Sequence, residues 1–301
     1  MMAVATLQAT QARTDQVKAI ARDARREQTS LLSLIVPALV LLAVLLFTPL
    51  GWLMWLSVVD AEGLTTAHYQ RILDDVGYHK SFWLTFQISG LVTILAILIG
   101  YPLSYMLSRL KPIWAALGIG LVIIPFWTSL LVRTYAWMLL LQRNGLINDA
   151  LIDLGIIEEP LALMHNFTGT TIGMLHIMLP FMVLPLYATM RRIDGELLLA
   201  AANLGASPSY AFWRVFFPQS KPGLMAGTIL VFVLCLGFYI TPELLGGGRT
   251  IMISMLVARN VELYFEWGAA SSVAMVLLVL VLAVFWLLGR FLAVERVFGV
   301  R

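Results

Sequence analysis

Six stretches of about 20 or more apolar residues recur along the chain, at 31–59, 82–108, 113–132, 168–190, 222–245 and 270–293. A bilayer core of about 30 Å is crossed by about 20 residues of helix. Backbone inside lipid must also satisfy its own hydrogen bonds, which leaves helices and closed barrels as the spanning structures. The pattern predicts an all-α membrane protein with six transmembrane helices. The stretch 275–288 is apolar on every side, as a helix surrounded by lipid and neighbouring helices is. The first stretch follows about 30 polar residues and is too long for a signal-peptide core, so a retained span is expected.

Composition agrees. Hydrophobic residues make up 60% of the 301, and charged residues only 12%, against about 25% charged in a soluble domain. The mean hydropathy is +0.88. One cysteine, Cys235, excludes a disulfide framework and a cysteine-clustered metal site. The four histidines, His68, His79, His165 and His176, lack metal-ligand spacing, so no metal is expected. The nearest approach to a P-loop, Gly246-Gly247-Gly248-Arg249-Thr250, has no lysine to reach a phosphate. The chain is not expected to be an enzyme or to hydrolyse ATP itself, and the bilayer rather than nucleic acid is its expected surroundings.

Charge gives an expected orientation. The tail 1–30 carries Arg13, Lys18, Arg22, Arg25 and Arg26. With six spans, Arg109, Lys111, Arg191, Arg192, Arg214, Lys221, Arg290, Arg296 and Arg301 share its side, and the opposite side holds Arg71, Lys80, Arg133, Arg143, Arg249 and Arg259. Basic residues beside spans stay in the cytoplasm, so both termini, 1–30 and 294–301, are expected there. The outer loops are acidic, with Asp74, Asp75, Asp149, Asp153, Glu158, Glu159, Glu262 and Glu266 among them.

Shorter features fill in the picture. The apolar run at 251–257 is too short to span and follows a glycine break, which suggests an interfacial or re-entrant helix. Residues 136–141 are expected to extend the third span, with Tyr135, Trp127 and Trp137 as aromatic anchors at its end. His176 and Cys235 read as interhelical packing residues, and Arg133 as a side chain reaching the headgroups. Glu243, close to Tyr239, lies near the outer end of the fifth stretch. It either reaches the interface or favours a cationic solute along a pathway.

The segment 194–220, between the fourth and fifth stretches, is patterned rather than loose. Asp194 is placed to cap a Leu/Ala-rich helix that ends at Gly205, where glycine takes a left-handed conformation without penalty. Ser207 and Pro208 then restart a second helix as N-cap and first residue, with Pro218 and Pro222 expected to bound it. That helix carries Phe212, Trp213, Val215, Phe216 and Phe217. Such a face either packs on the ends of its own bundle or fits a groove on a partner.

This segment, with Ala200-Ala201, Leu204-Gly205 and Val215-Phe216-Phe217-Pro218, resembles the Glu-Ala-Ala loop of permease subunits in binding-protein-dependent ABC importers. Leu199 stands where that family has glutamate, and Glu196 lies one turn earlier. Further runs are similar to the spermidine/putrescine permease group. They are Gly100-Tyr101-Pro102-Leu103, Pro125-Phe126-Trp127-Thr128-Ser129, Arg133-Thr134-Tyr135-Ala136-Trp137, Asn144-Gly145-Leu146-Ile147-Asn148 and Thr241-Pro242-Glu243-Leu244-Leu245-Gly246-Gly247-Gly248.

The resemblance implies the type I importer fold and half of a solute pathway in a bacterial inner membrane. It implies a second, non-identical permease, ATPase subunits that bind the ATP and magnesium, and a periplasmic binding protein that delivers the solute. Glu196, Ala200, Ala201, Gly205, Ala206, Ser207, Pro208, Phe212, Val215 and Pro218 would form the cytoplasmic coupling loop on which the ATPase docks. Trp127, Tyr239 and Glu243 are candidates for the pathway. The competing readings are a permease for another solute and an ion-coupled secondary transporter, the latter short of buried coupling groups.

Overall fold

The computed structural model describes Ser33, residues 35–60 and residues 63–297, with side chains for all of these except 288–289 and 291–297. The basic tail 13–26 and residues 298–301 lie outside the described residues. Among the described residues, five helices are long and apolar enough to cross a bilayer: α1 (Ile35–Val58), α3 (Val76–Arg109), α7 (Phe167–Met190), the run Pro208–Leu236, and α13, whose apolar part is Trp267–Leu287. A sixth span arises if one sharply bent pair is counted as a single crossing. The chain divides into two compact units, Met1–Leu56 and Ser57–Arg301. In the first, α1 exposes Leu41, Leu45, Phe47 and Trp52, a surface suited to lipid.

The second unit is built on three helices. A two-residue β-hairpin, β1 (Val59–Asp60) with β2 (Gly63–Leu64), leads into the short helix α2 (Ala67–Asp74). Helix α3 then runs 34 residues, about 50 Å at 1.5 Å per residue, well beyond the hydrocarbon layer. It packs with α7 and with α10 (Phe217–Leu236) around Ile88, Val92, Met174, Met178, Met182, Leu186, Phe216 and Val231. Glycines let these helices close. A Cβ on Gly223 would lie 2.7 Å from the carbonyl oxygen of Pro185, and one on Gly100 2.8 Å from Met182 Cγ. Small residues do this work where neither water nor lipid favours association.

The expected third span, 113–132 with its extension to 141, is broken. Helix α4 (Pro112–Ile123) tightens into a 3-10 turn at Ile124–Trp127, and α5 (Leu130–Leu141) departs after an extended Thr128 and Ser129. The two arms meet at 98°. Pro125 brings no N–H to continue the ladder. Thr128 then closes the end, its amide and its Oγ1 both donating to the Pro125 carbonyl, at 3.2 and 2.7 Å. Helix α6 (Leu146–Asp153) follows, and the buried Asn148 ties its loop to Gln142 and Leu161.

The fifth stretch also differs from expectation at both ends. Pro218 and Pro222 bound no separate helix. The chain runs from α9 (Pro208–Ala211) through a π-turn at Phe212–Phe216 directly into α10. The wider turn takes up Pro218, whose missing N–H and ring would disturb a regular α-turn. At the far end the helix stops at Gly237, and a short α11 (Ile240–Gly246) resumes after it. Residues 251–257 enter α12 (Ile253–Glu262), whose Ile253 and Met255 are buried. The Ile253 amide donates to Thr85 Oγ1 of α3 at 2.9 Å, and Asn260 Nδ2 to the Tyr78 hydroxyl at 3.2 Å. This segment packs on protein.

Candidate functional site: a helical loop and a broken span

The loop is assembled from near neighbours in sequence. Asp194 Oδ1 accepts from the Glu196 amide at 2.9 Å and opens α8 (Gly195–Asn203). At the other end Gly205 has φ +84°, its amide donates to the Ala202 carbonyl at 2.9 Å, and the Ala206 amide donates to the Ala201 carbonyl at 3.0 Å. These paired bonds form a Schellman motif. A Cβ at Gly205 would meet nothing within 4 Å, so only the backbone conformation demands glycine. Ser207 Oγ then accepts from the Tyr210 amide at 3.3 Å, with Pro208 as the first residue of α9.

The aromatic residues of the loop divide between two faces. Phe212 and Phe216 point into the bundle. Tyr105 of α3 meets both edge-on, at 5.5 and 4.9 Å between ring centroids, and the Arg109 guanidinium lies over Tyr105 and Phe216. Tyr101 Oη and Ser220 Oγ share a hydrogen bond of 2.8 Å one turn further along. The other face is bare: Leu204 is 89% exposed, Leu199 66% and Trp213 59%. Of the residues singled out from the sequence, Glu196, Ala200, Gly205, Ser207 and Pro208 are exposed, while Ala201, Ala206, Phe212, Val215 and Pro218 are partly covered. Trp213 belongs to the apolar face that the sequence offers to the bundle or to a partner, and exposed Leu204 adjoins the cap glycine, a place equally legible in the sequence.

The second candidate region lies where the fifth span breaks. Helix α11 is fastened on one side by Thr241 Oγ1, 3.2 Å from Thr134 Oγ1 of α5, and by Leu245, which fills the space a Gly173 side chain would occupy. Tyr239 and Glu243, one turn apart, are half-buried on another side. Arg259 of α12 approaches Glu243, Nη2 to Oε1 being 3.9 Å, too long for a hydrogen bond. Spacing gave no sign of Arg259, because 16 residues and a helix break separate it from Glu243. Trp127 stands apart on the elbow, 88% exposed and without a hydrogen bond or ring contact to either residue. Trp137, expected as an anchor, donates from Nε1 to His176 Nδ1 at 3.1 Å, and Arg133 lies over the Phe126 ring.

Comparison with known proteins decides the family. The spermidine/putrescine transport system permease protein PotB of Haemophilus influenzae is 34% identical over 246 residues, which cover 82% of this chain and 84% of that one. PotB of Escherichia coli is 33% identical over 231 residues, covering 76% and 84%. The chain belongs to the PotB family of permeases. The inner membrane ABC transporter permease protein YdcU of Escherichia coli is 31% identical over 226 residues, 70% of this chain and 69% of its own. No family model matches. Among solved structures, a bacterial alginate ABC transporter in complex with its periplasmic protein superposes with a TM-score of 0.73 at 14% identity, covering 89% of this chain and 94% of the other. The permease therefore has the type I ABC importer fold and is a membrane protein of the transporter class.

Proposed function

We propose that the permease is one of two non-identical membrane subunits of an ATP-driven polyamine importer in the bacterial inner membrane. Its termini and the loop 194–220 face the cytoplasm, an orientation supported by the excess of Arg and Lys on that side. ATPase subunits, which carry the ATP and magnesium, hold the loop by its exposed face. A periplasmic binding protein delivers solute to the opposite side.

One observation carries the coupling role: the loop is not a flexible connection. Its Schellman turn fixes α8 against α9, and α9 continues without a break into α10. Phe212 and Phe216 lock the same turn to α3 through Tyr105 and Arg109. A push on Leu204 or Trp213 therefore moves two spans as a body, which is the shear and hinge behaviour a switching pathway needs. At the other end of α10, Tyr239 and Glu243 supply an aromatic ring and a carboxylate, chemistry that suits an organic ammonium ion.

The test is recovery of the tagged permease from its native membrane in mild detergent, with identification of what it retains. An ABC ATPase and a second permease are expected, together with ATP-dependent uptake of labelled putrescine in vesicles supplied with the binding protein. Recovery of the chain without an ATPase would overturn the importer. Uptake of another solute, with no competition from putrescine or spermidine, would overturn the polyamine.

A further inference from the structure

The chain turns sharply between α3 and α4 at Leu110 and Lys111, and an apolar groove of about 680 Å3 lies along this corner. Helix α3 lines it with Met106, Leu107 and Leu110, and α4 with Trp114, Leu117 and Leu121. Two glycines shape it. A Cβ on Gly118 would sit 2.3 Å from Leu107 Cδ2, so glycine lets the helices meet there. Gly120 does the reverse: nothing lies within 4 Å of where its Cβ would be, and the groove stays open beside it. Helix α4 has 12 residues, about 18 Å of length at 1.5 Å per residue. One leaflet of a 30 Å hydrocarbon core is about 15 Å deep.

Two cations stand at the corner end of the groove. Lys111 follows Leu110 in the chain, while the Arg109 guanidinium turns away from the groove over Tyr105 and Phe216. Arg191, at the end of α7, donates from Nη1 to the carbonyl oxygens of Ser108 at 3.1 Å and Leu110 at 3.4 Å. Neither Lys111 nor Arg191 has an ion-pair partner among the described residues. Basic residues at a span end follow from topology alone. A leaflet-deep apolar groove that opens beside them does not.

We propose that this corner is a binding site for an anionic phospholipid, with an acyl chain along α4 in the groove and the phosphate against Lys111 and Arg191. The charge supplies the headgroup preference, about fivefold per basic residue close to an anionic lipid. The groove supplies a fixed seat that a diffuse basic patch lacks. The site is independent of which solute the permease carries.

Native mass spectrometry of the intact importer, taken from bilayers of equal phosphatidylglycerol and phosphatidylcholine, tests it. Phosphatidylglycerol is expected to remain bound in preference to phosphatidylcholine. Lys111→Gln should reduce that preference about fivefold, and Gly120→Leu, which puts a bulky side chain into the groove from a position whose Cβ meets nothing within 4 Å, should lose the bound lipid. Gly120→Ala, a better helix former that leaves most of the groove open, should retain it. Should Gly120→Leu fail to assemble, Leu121→Trp, an exposed change on the same groove, carries the same expectation. Equal retention of the two lipids, or retention unchanged by filling the groove, would overturn the site. So would an efficient cross-link from Leu117→Cys to the second permease, which would place a protein there instead.

Discussion

Helix α10 begins in one irregular segment and ends in another, and the two are held in opposite ways. The capped turns of the loop before it are made from partners within five residues of each other: Asp194 with Glu196, Ala201 with Ala206, Ser207 with Tyr210. The break after it is held by residues far away in the chain. Thr134 bonds Thr241, Gly173 admits Leu245, Ser254 Oγ donates to the Phe238 carbonyl at 2.6 Å, and Arg259 faces Glu243. A locally encoded shape survives changes in its surroundings but not the loss of its one special residue. A shape encoded at a distance has no such residue and yields to any of several neighbours.

Gly205→Val tests the first half of this contrast and should have the largest effect. A β-branched residue at φ +84° is a steric outlier, and left-handed backbone costs an ordinary residue about 1–2 kcal/mol. The cost falls on the turn that sets α8 against α9. Loss of ATPase from the purified complex and loss of uptake are expected, with normal membrane insertion. Normal uptake by this variant would show that the turn does not transmit the stroke.

Gly173→Val is the matching test of the second half. A Cβ at 173 would lie 2.3 Å from Leu245 Cδ1 and 2.9 Å from Thr241 Cγ2, so α11 must shift away from α7. Uptake should fall severely while ATPase is retained in the complex, because the loop lies at the other end of α10. Equal loss of ATPase in both variants would erase the distinction between the two segments.

The same division explains what the sequence made legible. The cap residues Asp194, Gly205, Ser207 and Pro208 follow from local rules, and all four occupy the conformations those rules require. The π-turn at Phe212–Phe216 was not legible: Pro218 announces a disturbance there, but a break and a wider turn both answer it, and the turn observed also seats Phe212 and Phe216 on Tyr105 more than 100 residues earlier. Apolar length located the long helices. Their breaks at Thr128 and Gly237 escaped it, since an apolar run reads the same whether its helix is straight or bent by 98°.

Glu243→Gln should act more selectively. It removes a charge but keeps the shape, and leaves α11 fastened by Thr241 and Leu245. If the carboxylate faces a cationic solute, putrescine uptake should slow about tenfold, the weight of roughly 1.4 kcal/mol. The binding protein and ATPase should remain attached, and uptake should be restored by Glu243→Asp more than by Glu243→Ala. Unchanged uptake by Glu243→Gln would reduce the Arg259 pair to an interface contact.

The smallest effect is expected from Ser207→Ala, and its size measures how far local encoding reaches. Removing the Oγ leaves the Tyr210 amide without its cap, which costs a helix about 1 kcal/mol. In an isolated helix as short as α9 that would be decisive. Here Pro208 presets the first turn, and Phe212 and Phe216 anchor the next one to α3. Uptake should fall less than about twofold while the melting temperature of the complex drops by a few degrees. A loss approaching that of Gly205→Val would mean that the aromatic contacts to α3 contribute little, and that the loop is held by its caps alone.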